Sequence, residues 1–166
     1  MANAVRSYWF YLAAVAAPFY LLDQGTKWAI IHALEADGAR PVIPGFFALV
    51  HWYNTGAAFS LFSGSNAFFL LLATAALALL AVLAWRGKFP DPVSRFGWAL
   101  LLSGIAGNLT DRIVHGHVVD FLLFDLHIPF ANPWPAFNVA DMCICGAAGL
   151  FFLQSLREGK GSVNNS

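Results

Sequence analysis

Asp120 and Asp141 are the residues of this sequence best placed to do chemistry. Each is a carboxylate set against an apolar run, with no Lys or Arg within a helical turn of it. Two carboxylates brought within a few ångströms of each other cannot both ionise cheaply, so they share a proton. The ionised one can draw a proton from water while the neutral one hydrogen-bonds a carbonyl, which is how aspartic proteases hydrolyse an amide without a metal or a nucleophilic side chain. The other polar groups in apolar surroundings are Asp23 and Lys27, then Asn108, Asp111 and Arg112, then Asn138. A buried Asp or Lys in a spanning helix costs on the order of 2.5–3.5 kcal/mol on insertion scales. Asp23 with Lys27, four apart on one helix face, and Asp111 with Arg112 are therefore expected to brace the structure by pairing.

Other chemistries find less support. The chain has neither a Gly-x-Ser-x-Gly elbow nor a His-Glu-x-x-His helix. His115 and His117, with His127, could offer a metal ligands beside Asp120, but this spacing is common in wet loops, and no metal or cofactor is expected. His32 and His51 read as interfacial residues. Cys143 and Cys145, two apart on a helix, point to different sides and read as packing residues. A formal net charge of zero gives no basic field to attract nucleic acid.

The elements that must position these groups are membrane helices. Of all residues, 59% are hydrophobic and 11% charged, where a soluble domain carries roughly 25% charged. The mean hydropathy is +0.65. Four spans are expected, at about 8–31, 67–85, 96–114 and 137–156, in a single membrane-embedded domain covering residues 1–166. The second holds one polar side chain, Thr74, and reads as a plain anchor. The first is too long for a signal peptide and lacks a small-residue cleavage site. Gly97, Gly104, Gly107 and Ser103 let the third helix approach its neighbours closely. Arg6, Arg86, Lys88, Arg95, Arg157 and Lys160 flank one side, so both termini are expected in the cytoplasm.

Of the two outward segments, residues 41–62 are rich in β-branched and aromatic residues with flanking Pro and Gly, which predicts a small β-cradle on the outer membrane surface. Residues 115–136 read as an interfacial loop or short helix, and 158–166 as a disordered tail. This topology brings the polar groups of three helices to one level near the outer leaflet. The fold class expected is thus an all-α polytopic membrane protein with an extracytoplasmic β-cradle.

The same residues fall in blocks that resemble the signatures of the bacterial lipoprotein signal peptidases, or signal peptidase II. Asp23-Gln-Gly-Thr-Lys27 resembles the first and Asn54-Thr-Gly-Ala-Ala-Phe-Ser60 the second. Gly104-Ile-Ala-Gly-Asn-Leu-Thr-Asp-Arg112 with Gly116-His-Val-Val-Asp-Phe121 resembles the third, and Phe137-Asn-Val-Ala-Asp141 the last. Five blocks in family order over nearly the whole chain are a specific match. The resemblance implies an aspartic endopeptidase of the bacterial inner membrane that cuts prolipoprotein signal peptides before a diacylglyceryl-modified cysteine. It needs no cofactor and no obligate protein partner beyond substrate and membrane lipids. It implies Asp120 and Asp141 as the catalytic dyad and Asn54 and Arg112 as substrate contacts. Asp23, Lys27, Gly56, Asn108, Asp111 and Asn138 would support the site. Ser103 and Met142 depart from the family's usual glycine and serine.

A transporter or proton channel is the rival class, since intramembrane Asp and Lys often mark ion paths. The inner halves of the four spans are nearly free of charge, which speaks against a path. A non-catalytic lipid- or peptide-binding assembly factor is set aside only by the dyad. The topology predicts that, in a background without Cys143 and Cys145, Ser63→Cys reacts with a membrane-impermeant thiol reagent added outside cells and Gly87→Cys does not. The reverse pattern would overturn it.

Overall fold

The computed structural model describes residues 2–56, 65–128 and 134–163. Helix α1 (Ala2–Tyr11) runs through a π-helical turn (Leu12–Ala16) into α2 (Ala17–Ala33) without leaving helical geometry. Pro18 explains the turn. It has no N–H to return to the carbonyl four residues back, and its ring crowds that carbonyl. The chain widens instead, and the Ala17 N–H donates to Leu12 O. Helices α3 (Asn66–Trp85), α4 (Pro92–Val114) and α5 (Val139–Val163) follow.

The start of α4 is fixed by a capping box. The Asp91 carboxylate accepts from Val93 N and Ser94 N, while Ser94 Oγ accepts from Asp91 N. The hydrogen bonds from Ser94 hold the Asp91 carboxyl down at about 2. Gln154 Nε2 donates to Asp91 Oδ2 at 3.0 Å and ties α5 to this end.

The cradle is a three-stranded antiparallel sheet in the order β1 (Ala39–Ile43), β2 (Phe47–Asn54), β3 (Val118–Phe124). Pro44 and Gly45 form the β1–β2 turn, with Gly45 at φ 73° and Phe46 N donating to Ile43 O at 3.0 Å. The register sets Trp52 opposite Asp120 and Asn54 opposite Val118, so Asn54 and Asp120 project from the same face. Past β3 the chain returns through Phe137, which bridges Leu122 just before α5.

Among the described residues four long helical stretches are present, close to the expected positions. By length and apolarity, two of them suffice to cross a membrane among the described residues, Asn66–Trp85 and Val139–Arg157. The other two carry the charged groups that lower their hydropathy. Leu71, Trp85 and Phe152 are 71%, 86% and 64% exposed, as suits side chains facing lipid.

Two expectations are corrected. Residues 118–124 are a strand rather than part of a loop or interfacial helix, because their run of β-branched and apolar residues completes the sheet beside β2. Helix α5 continues to Val163, into the segment expected to be a disordered tail. The cradle residues 57–62 lie outside the described residues.

Helix α4 is the centre of the helical layer, and its glycines set how closely α5 approaches. A Cβ on Gly104 would collide with the Ala140 carbonyl oxygen and the Ile144 side chain, and one on Gly97 would press on the Phe151 ring. Gly104→Ala is expected to push α5 away from α4 and to cost about 1–3 kcal/mol. A fall in thermal midpoint in detergent, larger than that of Gly149→Ala, where a Cβ meets nothing, checks this.

Candidate active site

Between the apolar cluster around Trp98, Leu100 and Ala147 and the smaller one of Ile30, Val119 and Phe121 lies a polar layer. Its anchor is Lys27. The ammonium sits 2.8 Å from Asp23 Oδ2 and 2.7 Å from Asp111 Oδ2, and all three residues are buried. Each carboxylate also holds a backbone amide. Asp23 Oδ1 accepts from Ala140 N at 2.8 Å, and Asp111 Oδ2 accepts from Val119 N at 3.2 Å. These are the residues immediately before Asp141 and Asp120. The expected Asp23–Lys27 pair is present. The expected Asp111–Arg112 pair is not, because adjacent helical residues point to different sides.

Two amides carry this anchor to the candidate dyad. Asn108 Oδ1 accepts from Lys27 Nζ at 3.1 Å, which turns its Nδ2 toward Asp141 Oδ1 at 2.8 Å. Asn138 Nδ2 donates to Asp120 Oδ1 at 2.8 Å, while its backbone N donates to Asp141 Oδ2 at 3.1 Å and its Oδ1 accepts from Asp141 N at 2.9 Å. Asn138 thus touches both carboxylates and is fully buried. Asn54 Nδ2 completes the shell, donating to Asp120 Oδ2 at 2.9 Å, and Asn54 Oδ1 accepts from Gly56 N at 3.0 Å.

Among the described residues neither Asp120 nor Asp141 forms an ion pair. Burial first, and the charge of Asp141 second, push the Asp120 carboxyl up to about 7, against the pull of the Asn54 and Asn138 hydrogen bonds.

Both carboxylates face a cavity of about 910 Å³, a size that suits a small ligand or a short peptide stretch. Its polar wall is Asn54, Gly56, Asn108 and Arg112, and its apolar wall includes Trp52, Phe69, Trp134 and Met142. Arg112 Nη2 donates to Gly56 O at 2.8 Å, and its guanidinium lies 4.7 Å from the centre of the Phe69 ring. Every residue named from the sequence as a site or supporting residue therefore falls in one connected network. Residues 57–60 of the second block lie outside the described residues.

Two contributions escaped the sequence reading. Helix α3 is more than an anchor, since Phe69 lines the cavity and Asn66 Nδ2 donates to Arg112 O at 3.3 Å. A phenylalanine in an apolar run gives no sign of this. Gln24 binds both anchor carboxylates; it lies within the first block, between Asp23 and Lys27, but has no role in the sequence reading. The histidines go elsewhere. His117 packs at a tilt against Tyr53, with ring centres 4.2 Å apart and its pKa lowered chiefly by burial, and His127 Nδ1 lies 3.3 Å from Asp125 Oδ1.

The architecture is that of a bacterial membrane enzyme. One such enzyme, solved by the in meso method at 2.3 Å, superposes with a TM-score of 0.82 at 26% identity over 90% of both chains. A second, solved at 1.9 Å, gives 0.77 at 27% identity over 87% of this chain and 92% of its own. The family model for signal peptidase (SPase) II matches residues 15–157. The lipoprotein signal peptidase of Neisseria gonorrhoeae (strain ATCC 700825 / FA 1090) is 40% identical over 98% of both chains. The chain belongs to the signal peptidase II family, and so to the peptidases of lipoprotein processing.

Lys27→Met strands two buried carboxylates. Loss of one partner of a buried charged network costs about 3–5 kcal/mol. Folded yield in detergent and thermal midpoint are both expected to fall steeply. A variant that melts like the parent would show that Lys27 is not the anchor.

Proposed function

We propose that this protein is an aspartic endopeptidase that removes signal peptides from diacylglyceryl-modified prolipoproteins, cutting just before the lipid-modified cysteine. The observation that carries the mechanism is Asn138, which donates to both Asp120 and Asp141 while neither forms an ion pair among the described residues. Family membership supports the substrate class. In this reading the chain is a single domain of four membrane-crossing helices with both termini cytoplasmic. The cradle lies at the outer leaflet of the bacterial inner membrane.

Asp141 opens α5, where the helix dipole favours its charge, and acts as the base. Asp120 carries the shared proton. A water between them gives a proton to Asp141 and attacks the scissile carbonyl, whose oxygen is hydrogen-bonded by Asp120. Asp120 passes its proton to that oxygen, giving a tetrahedral diol. On collapse the C–N bond breaks, the proton held by Asp141 passes to the departing amine of the cysteine, and Asp120 takes a proton back from a diol hydroxyl. Asn54 and Arg112 hold the peptide across the cavity. Two acyl chains, each buried CH₂ contributing about 0.8 kcal/mol, fix the depth of the cysteine and align the bond.

Incubation of the purified protein with lipid-modified prolipoprotein, followed by mass spectrometry, is expected to give cleavage before the modified cysteine, with far slower cleavage of the unmodified precursor. Asp120→Asn and Asp141→Asn should each abolish it while remaining folded, and the double variant should be no worse than either single one, because the two act as a unit. Near-normal turnover in either single variant rules out the aspartic mechanism.

The alkaline limb of the pH profile follows from Asp120, which must be protonated and loses its proton near 7. The Asn54 hydrogen bond favours the charged form of Asp120, so its removal favours the protonated form. Asn54→Ala should lower kcat/KM and move the alkaline limb to higher pH. A shift to lower pH would contradict the assignment of the proton to Asp120.

A further inference from the structure

We infer that Gln24 is a positioning residue for the dyad, its side-chain amide holding the orientation of the two anchor carboxylates that clip β3 and α5; this rests on the proposed role of Asp120 and Asp141. Gln24 Nε2 donates to Asp111 Oδ1 at 2.9 Å, to Asp23 Oδ2 at 3.1 Å and to Gly107 O at 3.2 Å. It bridges the two anchor carboxylates, sharing Asp23 Oδ2 with Lys27 and taking Asp111 Oδ1, which Lys27 does not contact.

The need for it follows from counting donors. Lys27 reaches one oxygen of each carboxylate, Asp23 Oδ2 and Asp111 Oδ2. Asp111 Oδ2 also takes the Val119 N–H, the longest of the clips at 3.2 Å. Held at that one oxygen alone, the Asp111 carboxylate can swing about its Cβ–Cγ bond. Gln24 pins the other oxygen, Oδ1, and fixes the plane. Two carboxylates also share one ammonium here, and the amide dipole of Gln24 supplies further donor capacity between them. A swing of Asp111 moves Val119 and with it Asp120, the next residue. Loss of the Gln24 donor leaves Asp23 Oδ2 to Lys27 alone, and any shift of Asp23 that follows moves Ala140 and with it Asp141. A displacement of about 1 Å at reacting groups can cost on the order of a hundredfold in rate.

The function of Gln24 is donation, not volume, and three substitutions separate the two. Gln24→Leu keeps bulk and removes the donor. Gln24→Glu keeps the shape and turns a donor into an acceptor facing two carboxylates. Gln24→Lys restores a donor on a flexible stem. Against lipid-modified prolipoprotein in detergent, kcat should fall roughly tenfold for Leu and further for Glu, and Lys should recover most of it, with KM within about threefold throughout.

Backbone hydrogen exchange, read by mass spectrometry on peptides covering 117–121 and 138–142, should be faster in Leu and Glu than in the parent and near parental in Lys. Parental exchange in Leu and Glu overturns the inference, as does an effect confined to KM or a Lys variant as impaired as Leu. The exchange measurement needs no substrate. If the parent protein fails to cleave, the peptidase reading falls while the clip is still tested.

Discussion

One ammonium shared by two carboxylates from different helices sets the geometry on which the rest of the site depends. Lys27 and Asp23 come from α2 and Asp111 from α4, and their contacts at 2.8 and 2.7 Å fasten those two helices at one depth. Each acid then spends another hydrogen bond outside the ion cluster. Asp23 holds an amide of the first turn of α5, and Asp111 holds an amide of β3. The two amides stand one residue ahead of Asp141 and Asp120. A buried ion network is weak evidence of stability, because desolvation offsets most of its attraction. Here it does something else, which is to place two segments distant in sequence relative to each other.

The close approach of α4 and α5 depends on the same cluster. Gly107 faces Asp23 and the Ala140 side chain, and Gly104 faces the Ala140 backbone. Without Cβ atoms at these positions, α5 comes near enough for Ala140 N to reach Asp23. Small residues at a helix contact thus serve a polar purpose as well as van der Waals packing. The sheet is joined to this assembly through Val119 and through the Leu122–Phe137 bridge, so β3 and the start of α5 form one continuous support.

Much of this was legible in the sequence, for physical reasons. Charged and strongly polar groups in lipid-spanning segments are costly, so each one draws attention, and Asp23, Lys27, Asn108, Asp111, Asn138 and Asp141 were all found that way. Strands within residues 41–62 were legible from β-branched and aromatic enrichment with flanking Pro and Gly. What failed was partner choice. Asp111 lies beside Arg112 in sequence but binds Lys27, because its position on α4 turns it toward α2, and only the packing of the helices decides that. Strand β3 was missed because an apolar run of such length does not declare its own secondary structure when its partner strand lies far back in the chain. Phe69 was missed because an aromatic facing lipid and one facing a cavity look alike in sequence.

The charge arrangement around the dyad has its own logic. The Lys27 ammonium stands one amide away from Asp141, with Asn108 between them, and among the described residues the hydrogen-bond partners of Asp120 and Asp141 are neutral N–H groups. An ammonium placed directly on the pair would favour two ionised carboxylates and leave neither able to donate to a carbonyl. Lys27 is instead in contact with Asp23 and Asp111, and what touches Asp141 is the oriented amide of Asn108. Because Asn108 Oδ1 accepts from both Lys27 and Asn138, its Nδ2 can only face Asp141. Asn138 is fixed in turn by donating to Asp120 and receiving Asp141 N. The shell is therefore preorganised without a direct cation contact among the described residues, and under the proposed mechanism that leaves the two acids able to hold one proton between them.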